Sequence, residues 1–280
     1  MDKFAKTNGI TIHYLDHAGD GPTLILLPGL TANAFSFGGL VDAGLSPALR
    51  VLALDLRGRG LSDHPDDAYT IPDHAADVVG LMDALGLDQA VLGGHSFGGM
   101  LTYYLGATYP ERFSKLVTID APAEVDPIVA EQIKPSLDRL GKPVPSWEAY
   151  LAAVRSQPYF GDWWDPKIEE YYRADVKDNP DGTVQSRSRP QDMQAVVDGT
   201  LEFDWPDVVG RVTQPVLAIR ALDPYGPPGS PPILPKDKAD QVVELLDDPH
   251  PVAISGNHMT ILFGARAPKL ADLITQFVVS

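Results

Sequence analysis

The chain has 280 residues, 44% of them hydrophobic, which suits one large α/β domain with room for an inserted subdomain. It contains no cysteine, which excludes disulfides, a thiolate nucleophile and cysteine-ligated metal. A formal charge of −16 at pH 7 argues against nucleic acid and anionic membranes as partners. No apolar run approaches the length of a membrane span, and Met1-Asp2-Lys3-Phe4 opens no basic-then-apolar leader. A cytoplasmic protein acting on a small molecule is expected, with no metal or organic cofactor. Its oligomeric state is left open.

Residues 2–16 alternate around Asn8-Gly9, the signature of a two-residue hairpin at a sheet edge. Thr23 to Leu27 is a continuous apolar run ending in Pro28-Gly29, as a buried parallel strand would be. Arg50 to Leu56 is a second, running into Arg57-Gly58-Arg59-Gly60. Thr70, Pro72 and Asp73 start a helix whose apolar face is Ala75, Val78, Val79, Met82 and Leu85, and Gly86 stops it. Gln89 to Gly93 reads as a strand, Phe97 to Tyr109 as a helix ended by Pro110, and Leu116 to Ile119 as a strand. From about 123 to 205 the alternation stops. Three of the four tryptophans fall within 147–164, and the fourth is Trp205. This stretch is expected to be a helical lid inserted between a first core part, 1–122, and a second, 206–280. Strand–helix alternation resumes with Gln214 to Ile219, Lys236 to Leu246 and Pro251 to Ser255, and an amphipathic helix over Ala265 to Val278 closes the chain. Such alternation predicts a mostly parallel sheet, eight strands in all, covered by helices on both faces.

Val91-Leu92-Gly93-Gly94-His95-Ser96-Phe97-Gly98-Gly99 organises the rest. Gly94-His95-Ser96-Phe97-Gly98 fits the G-x-S-x-G elbow, a cramped strand-to-helix turn that projects a serine hydroxyl above the sheet. The same pattern also describes an ordinary Gly-rich junction, so its partners matter. A serine needs a base. Of seven histidines, His258 lies just past the end of the last strand, at the edge where ligands bind in open α/β sheets. Asp223 follows the strand ending near Arg220 and completes the order Ser96, Asp223, His258. Asp120, at the end of another strand, is its rival and is read as a structural carboxylate. Two backbone N–H groups, of Phe97 and of Leu30 after the Thr23–Leu27 strand, are expected to form the oxyanion hole.

At these residues the chain resembles the α/β-hydrolase superfamily, over nearly its whole length outside 123–205. The resemblance rests on Leu27-Pro28-Gly29-Leu30, Asp55-Leu56-Arg57-Gly58-Arg59-Gly60-Leu61-Ser62, the Gly94–Gly99 stretch, Asp223 and His258. Pro28-Gly29 replaces the usual His-Gly of the oxyanion loop. The Arg-Gly-x-Gly-x-Ser turn has a structural role in such proteins. A serine at position 96 departs from the dehalogenases and epoxide hydrolases, which carry aspartate there. The resemblance implies hydrolysis of a small or medium apolar ester through an acyl-enzyme. Carbon–carbon bond hydrolysis, lactonase or thioesterase activity, or a ligand receptor reusing the fold, are the alternatives. A carboxylated substrate would need a cation, for which Arg155, Arg173, Arg187, Arg189 and Arg220 are candidates. The lid aromatics, Trp147, Trp163, Trp164 and Trp205 among them, are expected to line the pocket opposite the serine or to pack within the lid.

Overall fold

A computed structural model describes residues 2–124, 127–161 and 163–280. Positions 125, 126 and 162 of the expected insertion, and Met1, fall outside the described residues. The strands are β1 (Asp2–Thr7), β2 (Ile10–His17), β3 (Thr23–Leu27), β4 (Arg50–Leu54), β5 (Ala90–His95), β6 (Phe113–Ile119), β7 (Val176–Asp178), β8 (Val184–Ser186), β9 (Pro215–Ala221) and β10 (Asp248–Ile254). Eight form one sheet in the order β1-β2-β4-β3-β5-β6-β9-β10. The hairpin turn has Asn8 at φ 46° and Gly9 at φ 79°, the twist that two-residue hairpins require. Within this sheet β1/β2 and β2/β4 run antiparallel and the other pairs run parallel, so β4, β3, β5, β6, β9 and β10 end at one edge.

The continuous apolar runs are explained by burial on both faces. Along β3, Leu24 and Leu26 enter one core while Ile25 and Leu27 enter the other, and all four are fully buried. The principal helices are α1 (Ile71–Ala84), α2 (Phe97–Thr108), α3 (Pro127–Asp138), α4 (Trp147–Arg155), α5 (Pro166–Asp175), α6 (Pro190–Leu201), α7 (Trp205–Gly210), α8 (Lys236–Leu245) and α9 (Ala267–Val279). Thr70 and Asp73 form the capping box that starts α1. Residues of α1 and α2 fill one core, and Leu270 and Ile274 of α9 fill the other.

The structure differs from expectation at three places. Short helical turns occupy 34–48, a stretch for which no element was expected. The segment between β6 and β9 carries helices and also the two-stranded ribbon β7–β8. β10 begins at Asp248, three residues earlier than the apolar run. Pro249 and Pro251 mask it in sequence but are tolerated because β10 is an edge strand.

Candidate active site

Ser96 sits between β5 and α2 at φ 56° and ψ −121°. The flanking glycines make this turn sterically feasible. A Cβ on Gly94 would lie 2.0 Å from the Gly98 carbonyl oxygen, and one on Gly98 would lie 2.0 Å from that of Leu27. The elbow is thus pressed against its own helix and against the end of β3. The loop after β3 approaches just as closely, since a Cβ on Gly29 would stand 3.5 Å from Ser96 Cβ. Leu30 and Phe97 both line the cavity above Ser96, and Phe97 opens the N-terminal turn of α2, where backbone N–H groups have no intrahelical acceptor.

His258 also lines this cavity. Its Nδ1 lies 2.7 Å from Oδ2 of Asp120, which is fully buried. The expectation that Asp223 would partner His258 is therefore corrected. Asp223 Oδ2 instead accepts the Gly256 N–H at 2.9 Å, and the Asp223 N–H donates to the Gly256 carbonyl at 2.9 Å. Its carboxylate is spent holding the turn two residues before the histidine. Asp120 directly follows β6, the immediate neighbour of β5, and Ser96 N–H donates to Ile119 O at 2.9 Å. Asp120 has φ 52°, a second strained position beside the first. Its other oxygen, Oδ1, accepts the Ala221 N–H at 2.9 Å.

The His258 loop is held from several sides. Asn257 Oδ1 accepts the N–H groups of Met259 and Thr260 at 3.1 and 3.0 Å, and its Nδ2 donates to Tyr159 O at 2.7 Å. His95, next to the serine in sequence, turns its side chain to this loop. Its Nε2–H donates to the His258 carbonyl at 2.8 Å, and the two rings lie 4.3 Å apart. Burial, then the neighbouring His258 charge, push the His95 imidazole well below its usual range, so it is neutral. Only tertiary packing reveals this role.

The cavity measures about 470 Å³. Val129, Ile133 and Leu137 of α3 and Val197 and Leu201 of α6 give it apolar walls. Tyr171, Tyr172 and Tyr225 line it, whereas none of the four tryptophans does. Trp147, Trp163 and Trp164 stack under Arg173, Arg266 and Arg155. Trp205 is buried and donates from Nε1 to Thr200 O. None of the five arginines proposed from sequence lines this cavity either. The arginine that does is Arg139, which donates to Asp175 Oδ2 at 3.1 Å, Tyr150 Oη at 3.1 Å and Ser136 O at 2.8 Å. Asp175 also accepts the Tyr150 hydroxyl at 2.6 Å. The cation is therefore paired within the wall. Among the described residues no cluster of three or more His, Asp or Glu side chains is arranged to hold a metal ion, and no helix is long and apolar enough to cross a membrane.

A family profile described as the alpha/beta hydrolase fold matches residues 22–256, and the chain belongs to that family. It is similar to 2-(acetamidomethylene)succinate hydrolase of Mesorhizobium japonicum, 32% identical over 205 residues, covering 72% of this chain and 71% of that one. It is also similar to N-formylmaleamate deformylase of Pseudomonas putida, 40% identical over 118 residues. That match spans less than half of either protein, 42% of this chain and 44% of the other. Among solved structures, that of E-2-(acetamidomethylene)succinate hydrolase superposes with a TM-score of 0.85 at 22% identity, covering 100% of this chain and 99% of that one. This last likeness concerns the fold.

Proposed function

We propose that the protein is a serine hydrolase that cleaves a small or medium apolar carboxylic ester, with Ser96 as nucleophile, His258 as base and Asp120 as the acid that orients it. The observation that carries the reading is the His258–Asp120 pair at 2.7 Å on the cavity that also holds Ser96 at its positive-φ turn. With Asp120 accepting from Nδ1–H, the Nε2 of His258 is the basic nitrogen. It takes the Ser96 proton as Oγ attacks the ester carbonyl. The carbonyl oxygen becomes an oxyanion and is received by the N–H groups of Leu30 and Phe97. His258 returns the proton to the leaving alcohol, and water, activated in the same way, releases the acid from the acyl-enzyme. No step requires a metal or an organic cofactor.

The cavity supports an apolar, uncharged acyl group. Its walls are aliphatic, and its arginine is already paired with Asp175. Side chains of α3 and α6 form part of those walls, which supports the segment over 123–205 acting as a lid that excludes water. The deformylase name of one relative supports a second reading, in which the same residues hydrolyse an acyl–nitrogen bond. The test is a screen of chromogenic esters of graded acyl length beside matched amides, lactones and thioesters, with Ser96→Ala as control. Ester turnover that Ser96→Ala abolishes supports the proposal. Turnover of amides alone selects the second reading, and turnover that survives Ser96→Ala refutes both.

A further inference from the structure

The turn after β4 carries two arginines in very different circumstances. Arg57 is neutralised by Asp77, with Nε and Nη2 donating to the carboxylate at 2.7 and 2.6 Å. Arg59 is fully buried, and among the described residues no carboxylate forms an ion pair with it. Its Nε donates to the Leu30 carbonyl at 2.9 Å. Its Nη1 donates to Arg57 O at 2.7 Å and to Nε2 of His74 at 2.8 Å. His74 is the acceptor because its Nδ1–H donates to Thr70 O at 2.8 Å, which fixes the tautomer. Burial, then the Arg59 charge, hold the His74 imidazole well below its usual range. The Arg59 Nη2 is buried with no hydrogen-bond partner among the described residues. A buried, unpaired charge with an unsatisfied donor is costly, and a structural turn does not need one.

The surroundings of Arg59 indicate what it serves. It grips the carbonyl of Leu30, and its guanidinium carbon lies 5.4 Å from the centre of the Phe97 ring. The His74 ring meets Phe97 edge-on, also at 5.4 Å. Leu30 and Phe97 are the two residues whose N–H groups receive the oxyanion in the reading above, and they come from separate segments, the loop after β3 and the start of α2. Arg59 touches both.

We propose that Arg59 is the positioning residue of the oxyanion site: it locks the Leu30 loop against Phe97 and places a buried positive charge, held in no ion pair among the described residues, behind the point where negative charge develops. The inference rests on the Ser96 reading. A fixed charge in a water-poor setting acts on the oxyanion far more than on a neutral ground-state carbonyl. Burial lowers the guanidinium to about 9, so it stays protonated at neutral pH. Neutral His74 suits this arrangement, since it accepts from Arg59 without cancelling its charge.

The test compares two inhibitors of equal chain length. An alkyl trifluoromethyl ketone forms a hemiketal oxyanion with the serine, whereas its methyl ketone twin binds largely as the neutral ketone. For Arg59→Met, the trifluoromethyl ketone should weaken by about 100-fold and kcat should fall by a similar factor. The methyl ketone affinity and KM should stay within about threefold. Arg59→Lys keeps the charge but loses the Nε–H bond to the Leu30 carbonyl and should lose roughly tenfold on the trifluoromethyl ketone. Two outcomes overturn the proposal: both ketones weakening equally in Arg59→Met, or neither changing. Should Arg59→Met fail to fold, the same ketone ratio in Arg59→Lys decides, and an unchanged ratio overturns it. Ser96→Ala, measured alongside, separates the two claims. If it retains trifluoromethyl ketone affinity, the serine reading falls. If it loses that affinity while Arg59→Met keeps it, only the role of Arg59 falls.

Discussion

Asparagine at position 120 should disable the enzyme by reversing one hydrogen bond. Asp120 Oδ1 accepts the Ala221 N–H at 2.9 Å and Oδ2 faces His258 Nδ1 at 2.7 Å, in a site with no solvent access. Asparagine must keep its oxygen toward Ala221, because turning its NH₂ there would oppose two donors in a buried place, at about 1–3 kcal/mol. The NH₂ then faces His258 Nδ1, which becomes an acceptor, so the proton moves to Nε2 and points at Ser96. The base is lost while the geometry survives. The expected cost is roughly 10⁴-fold in kcat, or about 5.4 kcal/mol at about 1.36 kcal/mol per decade. Asp223→Asn is the paired control. Its amide oxygen still accepts the Gly256 N–H, and only the charge assistance at 2.9 Å is lost, worth about 0.5–1.5 kcal/mol, or roughly 2- to 13-fold. The assay is kcat and KM on the best chromogenic ester, with circular dichroism to check folding. A crippled Asp223→Asn beside an Asp120→Asn enzyme within tenfold of wild type would refute the reasoning.

Other positions give independent outcomes. Ile133→Ala and Leu137→Ala enlarge an aliphatic wall of the cavity and should shift the ratio of kcat/KM between long and short acyl groups by about tenfold, whereas Trp147→Ala, outside the cavity, should leave that ratio unchanged. Gly98→Ala drives a methyl to within 2.0 Å of backbone and should cost at least about 1–3 kcal/mol in urea unfolding, together with most activity. At His13, burial lowers the pKa, but the hydrogen bonds and charges of Asp55 and Asp2 outweigh it and raise it above 6.5. A folded value above the unfolded one stabilises the protein fully below pH 6.5 and loses its effect as pH rises through the folded value. The stability gap between wild type and His13→Gln should therefore be widest in mild acid and narrow toward alkaline pH, and a gap that widens would refute the assignment.

Much of the architecture was legible because burial on both faces of a parallel sheet demands continuous apolar runs. Thr23–Leu27 and Gln89–Gly93 are such runs, and the glycines around Ser96 announce a turn that other residues cannot make. That His258 lies on the cavity beside Ser96 followed from position alone, because parallel strands place their ends at one edge. That rule could not separate Asp120 from Asp223, since both follow strands ending there. The difference lies in two tertiary facts, the left-handed turn at Asp120 and the Gly256 N–H that occupies Asp223. The segment over 123–205 resisted reading for a related reason. Aromatic content marks a packed region but not its direction, and Trp147, Trp163 and Trp164 stack against arginines while Tyr171 and Tyr172 face the cavity. Arg139 carried no signal, since its Asp175 partner is 36 residues away. Arg59 was visible in its motif, but that it carries no ion pair appears only once the chain is folded.

The central claim is that Ser96 is an activated nucleophile, and covalent labelling tests it most directly. The protein should be incubated with a small alkyl fluorophosphonate and analysed by intact mass and peptide mapping. A single adduct on Ser96 is expected, formed in step with loss of hydrolytic activity. No adduct should form in Ser96→Ala, and labelling should slow in Asp120→Asn. An adduct on another residue, or full activity with Ser96 modified, would contradict that claim.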